Sequence, residues 1–142
     1  MIIGAIEAGG TKFICGLGDE KGNVLEKVSF PTTTPEETMK QVIKYFKDKK
    51  FDAMGIGSFG PINPIKSTEK YGYILKTPKA HWSNYDILGE LKKHFDVPME
   101  FDTDVNGAAL AESWIGAGEG LKNVMYITVG TGIGAGAVVD VK

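Results

Sequence analysis

Two glycine–threonine loops, each set between apolar, β-rich runs, constrain this chain more than any other feature. The first is Glu7-Ala8-Gly9-Gly10-Thr11-Lys12, with strand-like runs at 2–7 and 13–18 on either side. The second is Gly130-Thr131-Gly132-Ile133-Gly134-Ala135, between similar runs at 124–129 and 135–141. Adjacent glycines let backbone approach a ligand closely and turn amides toward it. Thr11 adds a hydroxyl and Lys12 a positive charge, so the first loop meets the needs of a phosphate cradle. An ordinary glycine turn is the alternative. The spacing is not that of a Walker loop, which also precedes a helix rather than a strand. The second loop formally matches the dinucleotide pattern, but Ala137-Val138-Val139 favours a strand where that pattern needs a helix. A dehydrogenase is therefore rejected, while a phosphate-facing hairpin stays open.

Between the loops the pattern reads as α/β. Residues 24–30 form a third strand and complete an antiparallel meander with the first two. Thr34 caps a helix with Pro35 in its first turn and Glu37 completing a capping box. Met39, Val42, Ile43 and Phe46 then mark its buried face. Lysines 40, 44, 47, 49 and 50 read as a solvated face and helix end. A buried strand at 51–57 leads into Ser58-Phe59-Gly60-Pro61. Residues 67–82 read as irregular. There Trp82, Tyr71, Tyr73 and Tyr85 either stack on a sugar or anchor the segment by packing. A helix at 86–95, a strand at 99–102 and a helix at 104–115 follow. The last is rich in small residues, which allow close approach of a neighbour.

Composition bounds the function. Of 142 residues, 42% are hydrophobic and 24% charged, which is ordinary for a globular chain. The net charge of −2 provides no basic field for nucleic acid or an anionic membrane. The single cysteine, Cys15, makes neither an internal disulfide nor a cysteine-cluster metal site. Acidic Glu7 arrives too early for a signal peptide. The longest uncharged run, 124–139, is shorter than the ~20 residues that cross a bilayer. A cytoplasmic location is expected.

Asp104 stands where a strand gives way to a helix, in Phe101-Asp102-Thr103-Asp104-Val105-Asn106. It is either a cap or a general base. Strand-to-helix junctions are where α/β sheets expose their sites, and phosphoryl transfer to a hydroxyl needs a carboxylate to take the proton. His81 and His94 have no metal-ligand spacing.

Four motifs now stand in order: Glu7 to Lys12, Gly57 to Pro61, Asp102 to Glu112, and Val129 to Gly136. Together they resemble the ROK (repressor, open reading frame, kinase) sugar kinases, and the Glu-Ala-Gly-Gly-Thr-Lys-Phe opening resembles the bacterial fructokinase branch. The resemblance implies an α/β, actin-like (ribonuclease H-like) mixed sheet flanked by helices. It places an N-terminal lobe at 1–117 and the first hairpin of a truncated second lobe at 118–142. It implies an ATP-dependent hexose kinase using Mg²⁺, with fructose the first candidate and glucose, mannose or an amino sugar as alternatives.

By resemblance, Asp104 is the general base. Gly9, Gly10, Thr11, Lys12, Gly130, Thr131, Gly132 and Gly134 face the nucleotide. Gly57, Ser58, Gly60, Pro61, Thr103 and Asn106 border the sugar. Glu7 stands where the wider family commonly has Asp and is tied to the metal through Mg-ATP. Thr103 replaces a common Asn, so the sugar contact of that Asn is weaker here or supplied elsewhere. The family's structural zinc ligands and adenine contacts belong beyond residue 142. Because the chain opens on the first strand, no N-terminal DNA-binding segment is expected. The expected partners are the hexose and ATP, with neither nucleic acid nor membrane, and a homodimer at full length. The 142 residues alone are expected to be inactive. The competing reading is a non-catalytic lobe that binds sugar weakly or self-associates through its last hairpin.

Overall fold

The computed structural model describes residues 1–130 and 132–140. Alternation of buried and exposed residues builds the main sheet. In β1 (Ile2–Ala8), Gly4, Ile6 and Ala8 point inward. In β2 (Lys12–Asp19), Phe13 and Cys15 do the same. β3 (Val24–Pro31) completes the antiparallel meander. The chain then crosses through α1 (Pro35–Lys47) to β4 (Ala53–Ser58), which pairs parallel with β1.

Thr34 caps α1, its hydroxyl accepting from the Glu37 amide at 3.3 Å. Among the described residues the return half of the expected capping box, from the Thr34 amide to the Glu37 carboxylate, is not formed; Glu37 stays in solvent, and the Thr33 amide, one residue earlier, donates to the hydroxyl of buried Thr38 at 2.9 Å.

The stretch after β4 is less irregular than its sequence suggests. β5 (Tyr73–Ile74) and β6 (Tyr85–Asp86) pair as a small antiparallel ribbon. Asp86 then caps α2 (Ile87–His94), accepting from Gly89 at 2.8 Å. β7 (Met99–Thr103) joins β4 in parallel, and α3 (Asp104–Ile115) starts at once. The main sheet has five strands in the order β3-β2-β1-β4-β7.

One face of this sheet is covered. Ile6, Phe13, Met54, Ile56 and Phe101 from the strands meet Met39, Val42 and Phe46 of α1 and Ile87, Leu88 and Leu91 of α2. Phe46, Phe51 and Phe95 pack edge to face with ring centroids 5.4–6.1 Å apart. Trp82 is fully buried, stacked among Phe13, Phe59 and Tyr85, and its indole N–H donates to the Thr33 carbonyl at 2.8 Å. It is thus a packing anchor and not a sugar platform. On the opposite face, Ile3, Ala5, Ile14 and Val24 border an open hollow of about 320 Å³.

The second sheet is a hairpin of β8 (Val124–Val129) and β9 (Ile133–Val138). It shares no ladder with the first sheet and packs against α3. Glycine makes this possible. A Cβ on Gly136 would meet the Val105 carbonyl and come within 2.6 Å of the Asn106 nitrogen. Ala109, on the same helix, is fully buried.

Candidate active site

Register sets the site. Ala8, Ser58 and Thr103 lie side by side across β1, β4 and β7, each the last residue of its strand. The turn at 9–12, the loop at 59–61 and the start of α3 therefore leave the sheet at one edge. Parallel strands with a neighbouring reversal put ligand crevices at such carboxyl ends.

A crevice of about 570 Å³ opens there. Its walls are Gly10 and Thr11 from the first loop, Phe59 and Gly60 from the second, Thr103, Asp104 and Val105 from α3, and Gly130, Gly132 and Gly134 from the hairpin. All four sequence motifs thus meet in one space. A larger hollow, of about 730 Å³, lies among Lys47, Lys50, Phe51 and His94. The C-termini of α1 and α2 end there, and their dipoles disfavour an anion.

Asp104 is the first residue of α3 and is half-buried. Burial pushes its carboxyl pKa above the usual carboxylate range, while hydrogen bonds from backbone amides pull the other way. The Val105 amide donates to Oδ1 at 3.0 Å. A carboxylate made more basic by desolvation, beside a crevice, suits proton acceptance. Gly57 explains how Asp104 reaches this place. A Cβ there would lie 3.3 Å from the Asp104 Cα, so the helix start rests on bare β4 backbone.

The helix entrance is held by three further contacts. Thr103 Oγ1 accepts from the Asn106 amide at 3.1 Å. Asp102 Oδ1 accepts from the Thr103 amide at 2.7 Å and from Asn106 Nδ2 at 2.9 Å. Asn106 Nδ2 is committed to Asp102, and among the described residues its Oδ1 has no hydrogen-bond partner. Asp102 lies in the sequence motif, yet no spacing rule marks its role as the clip on Asn106.

The first loop is a two-residue turn, with the Gly9 amide donating to the Lys12 carbonyl at 3.0 Å. A Cβ on Gly9 would come within 2.5 Å of that carbonyl oxygen, so glycine is required. Among the described residues, the Gly10 and Thr11 amides have no hydrogen-bond partner. Two open amides on a crevice wall are a ready anion site.

Other expected residues fall outside the crevice wall. Ser58 is fully buried and its hydroxyl donates to the Phe59 carbonyl at 2.9 Å. From there it shapes the loop from beneath. Gly9 and Gly57 likewise act through backbone approach, while Pro61, Lys12 and Asn106 stand at the margin. Glu7 lies on the open sheet face, level with Gly57 and Asp102 in the strand register. Thr131 lies outside the described residues. Among the described residues, no group of three or more His, Cys, Asp or Glu side chains is placed to hold a metal ion. No helix among them is long and apolar enough to cross a membrane.

The chain is similar to known proteins over nearly all of its length. Residues 3–142 match the family model described as "ROK family". A fructokinase of Pediococcus pentosaceus is 53% identical over 138 residues, covering 97% of this chain and 48% of the relative. A fructokinase of Lactococcus lactis subsp. cremoris is 50% identical over 135 residues, covering 95% of this chain and 46% of that protein. The chain thus spans about half the length of the curated relatives it matches. The solved ROK family glucokinase of Streptomyces griseus, in complex with glucose and AMPPNP, superposes with a TM-score of 0.86. It is 27% identical, with 100% of this chain and 46% of that one covered.

Proposed function

The chain belongs to the ROK family and has its actin-like α/β fold, and from that premise we propose that it is the N-terminal part of an ATP-dependent hexose kinase. Fructose is the favoured acceptor, because relatives named fructokinase are about half identical to it. The observation that carries the reading is the shared crevice. It brings the open amides of Gly10 and Thr11, the Asp104 carboxyl and the hairpin glycines together.

In this mechanism the sugar hydroxyl lies against Asp104. Its carboxylate accepts the hydroxyl proton as the oxygen attacks phosphorus. A sugar hydroxyl is a poor nucleophile, so timing the proton transfer with the attack is what the carboxylate supplies. The amides of Gly10 and Thr11 donate to phosphate oxygens from one wall, and Gly130, Gly132 and Gly134 admit the nucleotide from the other. Thr131 is assigned to nucleotide binding from sequence alone. Lys12 contributes charge at the rim. Gly60, Pro61, Thr103 and Asn106 border the sugar, with the free Asn106 oxygen available to a hydroxyl. When bound with ATP, Mg²⁺ neutralises phosphate charge. Glu7 is the carboxylate assigned to it. Its exposed position at the end of β1 fits contact through metal-bound water, which Mg²⁺ commonly retains.

The lobe at 1–117 and the start of a second lobe at 118–142 remain our division. It is supported by the separate ladder of β8 and β9. A cytoplasmic location, and a homodimer for the full-length protein, belong to the same proposal. For the 142 residues alone, a second reading is a non-catalytic, self-associating unit. Exposed Met125, Ile127, Val129 and Ile133 on the hairpin favour it.

A coupled ADP-release assay with fructose, glucose and mannose tests both readings, on this chain and on the protein extended to the length of its relatives. Turnover with fructose is expected from the extended protein and little from the 142 residues. An extended, folded protein that releases no ADP with any hexose refutes the kinase reading.

A further inference from the structure

Thr32 follows β3 and is 8% exposed. It contacts the first loop twice. Its hydroxyl donates to the Gly9 carbonyl at 2.7 Å, and its amide donates to the Thr11 carbonyl at 2.9 Å. These two carbonyls flank the turn. In a planar trans peptide the carbonyl and the following N–H point in opposite directions. Pinning the Gly9 carbonyl toward Thr32 therefore drives the Gly10 N–H the other way. The Gly10 amide has no partner among the described residues, and Gly10 is on the crevice wall.

An ordinary two-residue hairpin would return the Gly9 carbonyl to the Lys12 amide. Here the Gly9 amide bonds to the Lys12 carbonyl while the Gly9 carbonyl takes the Thr32 hydroxyl. The Gly9 carbonyl is thus turned from the Lys12 amide and held by Thr32.

We infer that Thr32 is a positioning residue for phosphoryl transfer, clamping the Gly9–Thr11 turn so that the free Gly10 amide meets the nucleotide phosphates. This rests on the phosphate reading of the turn. Thr32 itself touches no reacting atom. Its neighbours tie the clamp to the rest of the lobe: the Thr33 carbonyl takes the buried Trp82 indole, and Thr34 caps α1. Nothing in the spacing of Thr32-Thr33-Thr34 separates these three tasks.

The test compares Thr32→Val, Thr32→Ala and Thr32→Ser in the protein extended to the length of its relatives. Mg-ADP affinity is read by calorimetry, and KM is read separately for ATP and for the sugar. Thr32→Val and Thr32→Ala should weaken Mg-ADP binding and raise KM for ATP about tenfold, the scale of one hydrogen bond's loss, while KM for the sugar holds. Thr32→Ser keeps the hydroxyl and should restore both. If Thr32→Val does not fold, Thr32→Ala carries the comparison. KM values for ATP and sugar that rise together would show general loosening of the lobe and overturn the inference. So would a variant with unchanged nucleotide affinity in a protein that still phosphorylates hexose, which overturns Thr32 alone. A wild-type protein that binds no Mg-ADP overturns the phosphate reading and this inference with it. One that binds Mg-ADP but uses no hexose refutes the hexose-kinase reading, and the Mg-ADP affinities of the Thr32 variants then decide the clamp alone.

Discussion

Gly136→Ala is the most demanding test of how this site is assembled. The added methyl would meet the Val105 carbonyl and lie 2.6 Å from the Asn106 nitrogen, both backbone atoms of the first turn of α3. Ordinary contact begins at 3.4 Å, so β9 and α3 must part by at least 0.8 Å to clear the Asn106 nitrogen, and by more to clear the Val105 carbonyl. No side-chain rotation relieves this, because the obstruction is main chain. Overpacking of this kind costs ~1–3 kcal/mol. The displaced helix turn carries Asp104, and a misplacement of ~1 Å at reacting groups costs up to ~10²-fold in rate. We therefore expect a fall in turnover of roughly 10- to 100-fold in the extended protein, with a lowered melting temperature.

Two neighbours calibrate the experiment. A Cβ on Gly134 would touch the Thr128 and Val105 methyls at 3.1 and 3.2 Å, which can yield by tenths of an ångström. A Cβ on Gly132 would meet nothing within 4 Å. Melting temperature should thus fall most for Gly136→Ala, less for Gly134→Ala and least for Gly132→Ala. Gly136→Ala at wild-type stability and rate, or a reversed order, would refute the argument that glycine sets the hairpin–helix distance.

Three further outcomes follow from the same geometry. Asp104→Asn should lower turnover by ~10²–10⁴ with modest change in sugar binding, checked by steady-state kinetics. It should also raise the melting temperature at neutral pH. Burial raises the folded-state pKa of Asp104, so the ionised form costs stability above that pKa, and the cost disappears as pH falls through it. The gap between variant and wild type should therefore close on acidification; a gap that widens refutes the sign. Trp82→Phe removes the donor to the Thr33 carbonyl and leaves space among Phe13, Phe59 and Tyr85. Denaturant unfolding should show a loss of ~1–3 kcal/mol. Ile127→Lys should reduce self-association of the 142-residue chain in light scattering, because it charges the exposed side of β8.

Much of this was legible in the sequence, for reasons that differ by element. The amphipathic spacing of Met39, Val42 and Phe46 fixes α1 locally, and Asp104 to Ile115 forms a helix over the expected span. The strands announced themselves by alternation and by polar turns. β5 and β6 did not, because two-residue pairings have no periodicity and form only where tertiary contacts bring them together. The glycine loops and Asp104 pointed to one crevice through residue type alone. Thr32 and the Asp102 clip on Asn106 did not, since each is a contact defined by folding rather than spacing. Ser58 sat within a recognisable motif, yet its place in the register turned it inward. Motif membership says that a position matters without saying which way the side chain faces.

The row Ala8–Ser58–Thr103 has a consequence for how such a protein can diversify. Three turns hung from one ledge of hydrogen-bonded strands move together, so the spacing between Asp104 and the turn at 9–12 inherits the stiffness of the sheet. The segment at 63–86 is tied to the lobe by separate contacts, the Trp82 indole on the Thr33 carbonyl, Lys66 on Glu100 and the Leu75 amide on the Pro61 carbonyl among them. Exposed residues of that segment can therefore change one at a time while the ledge keeps its spacing.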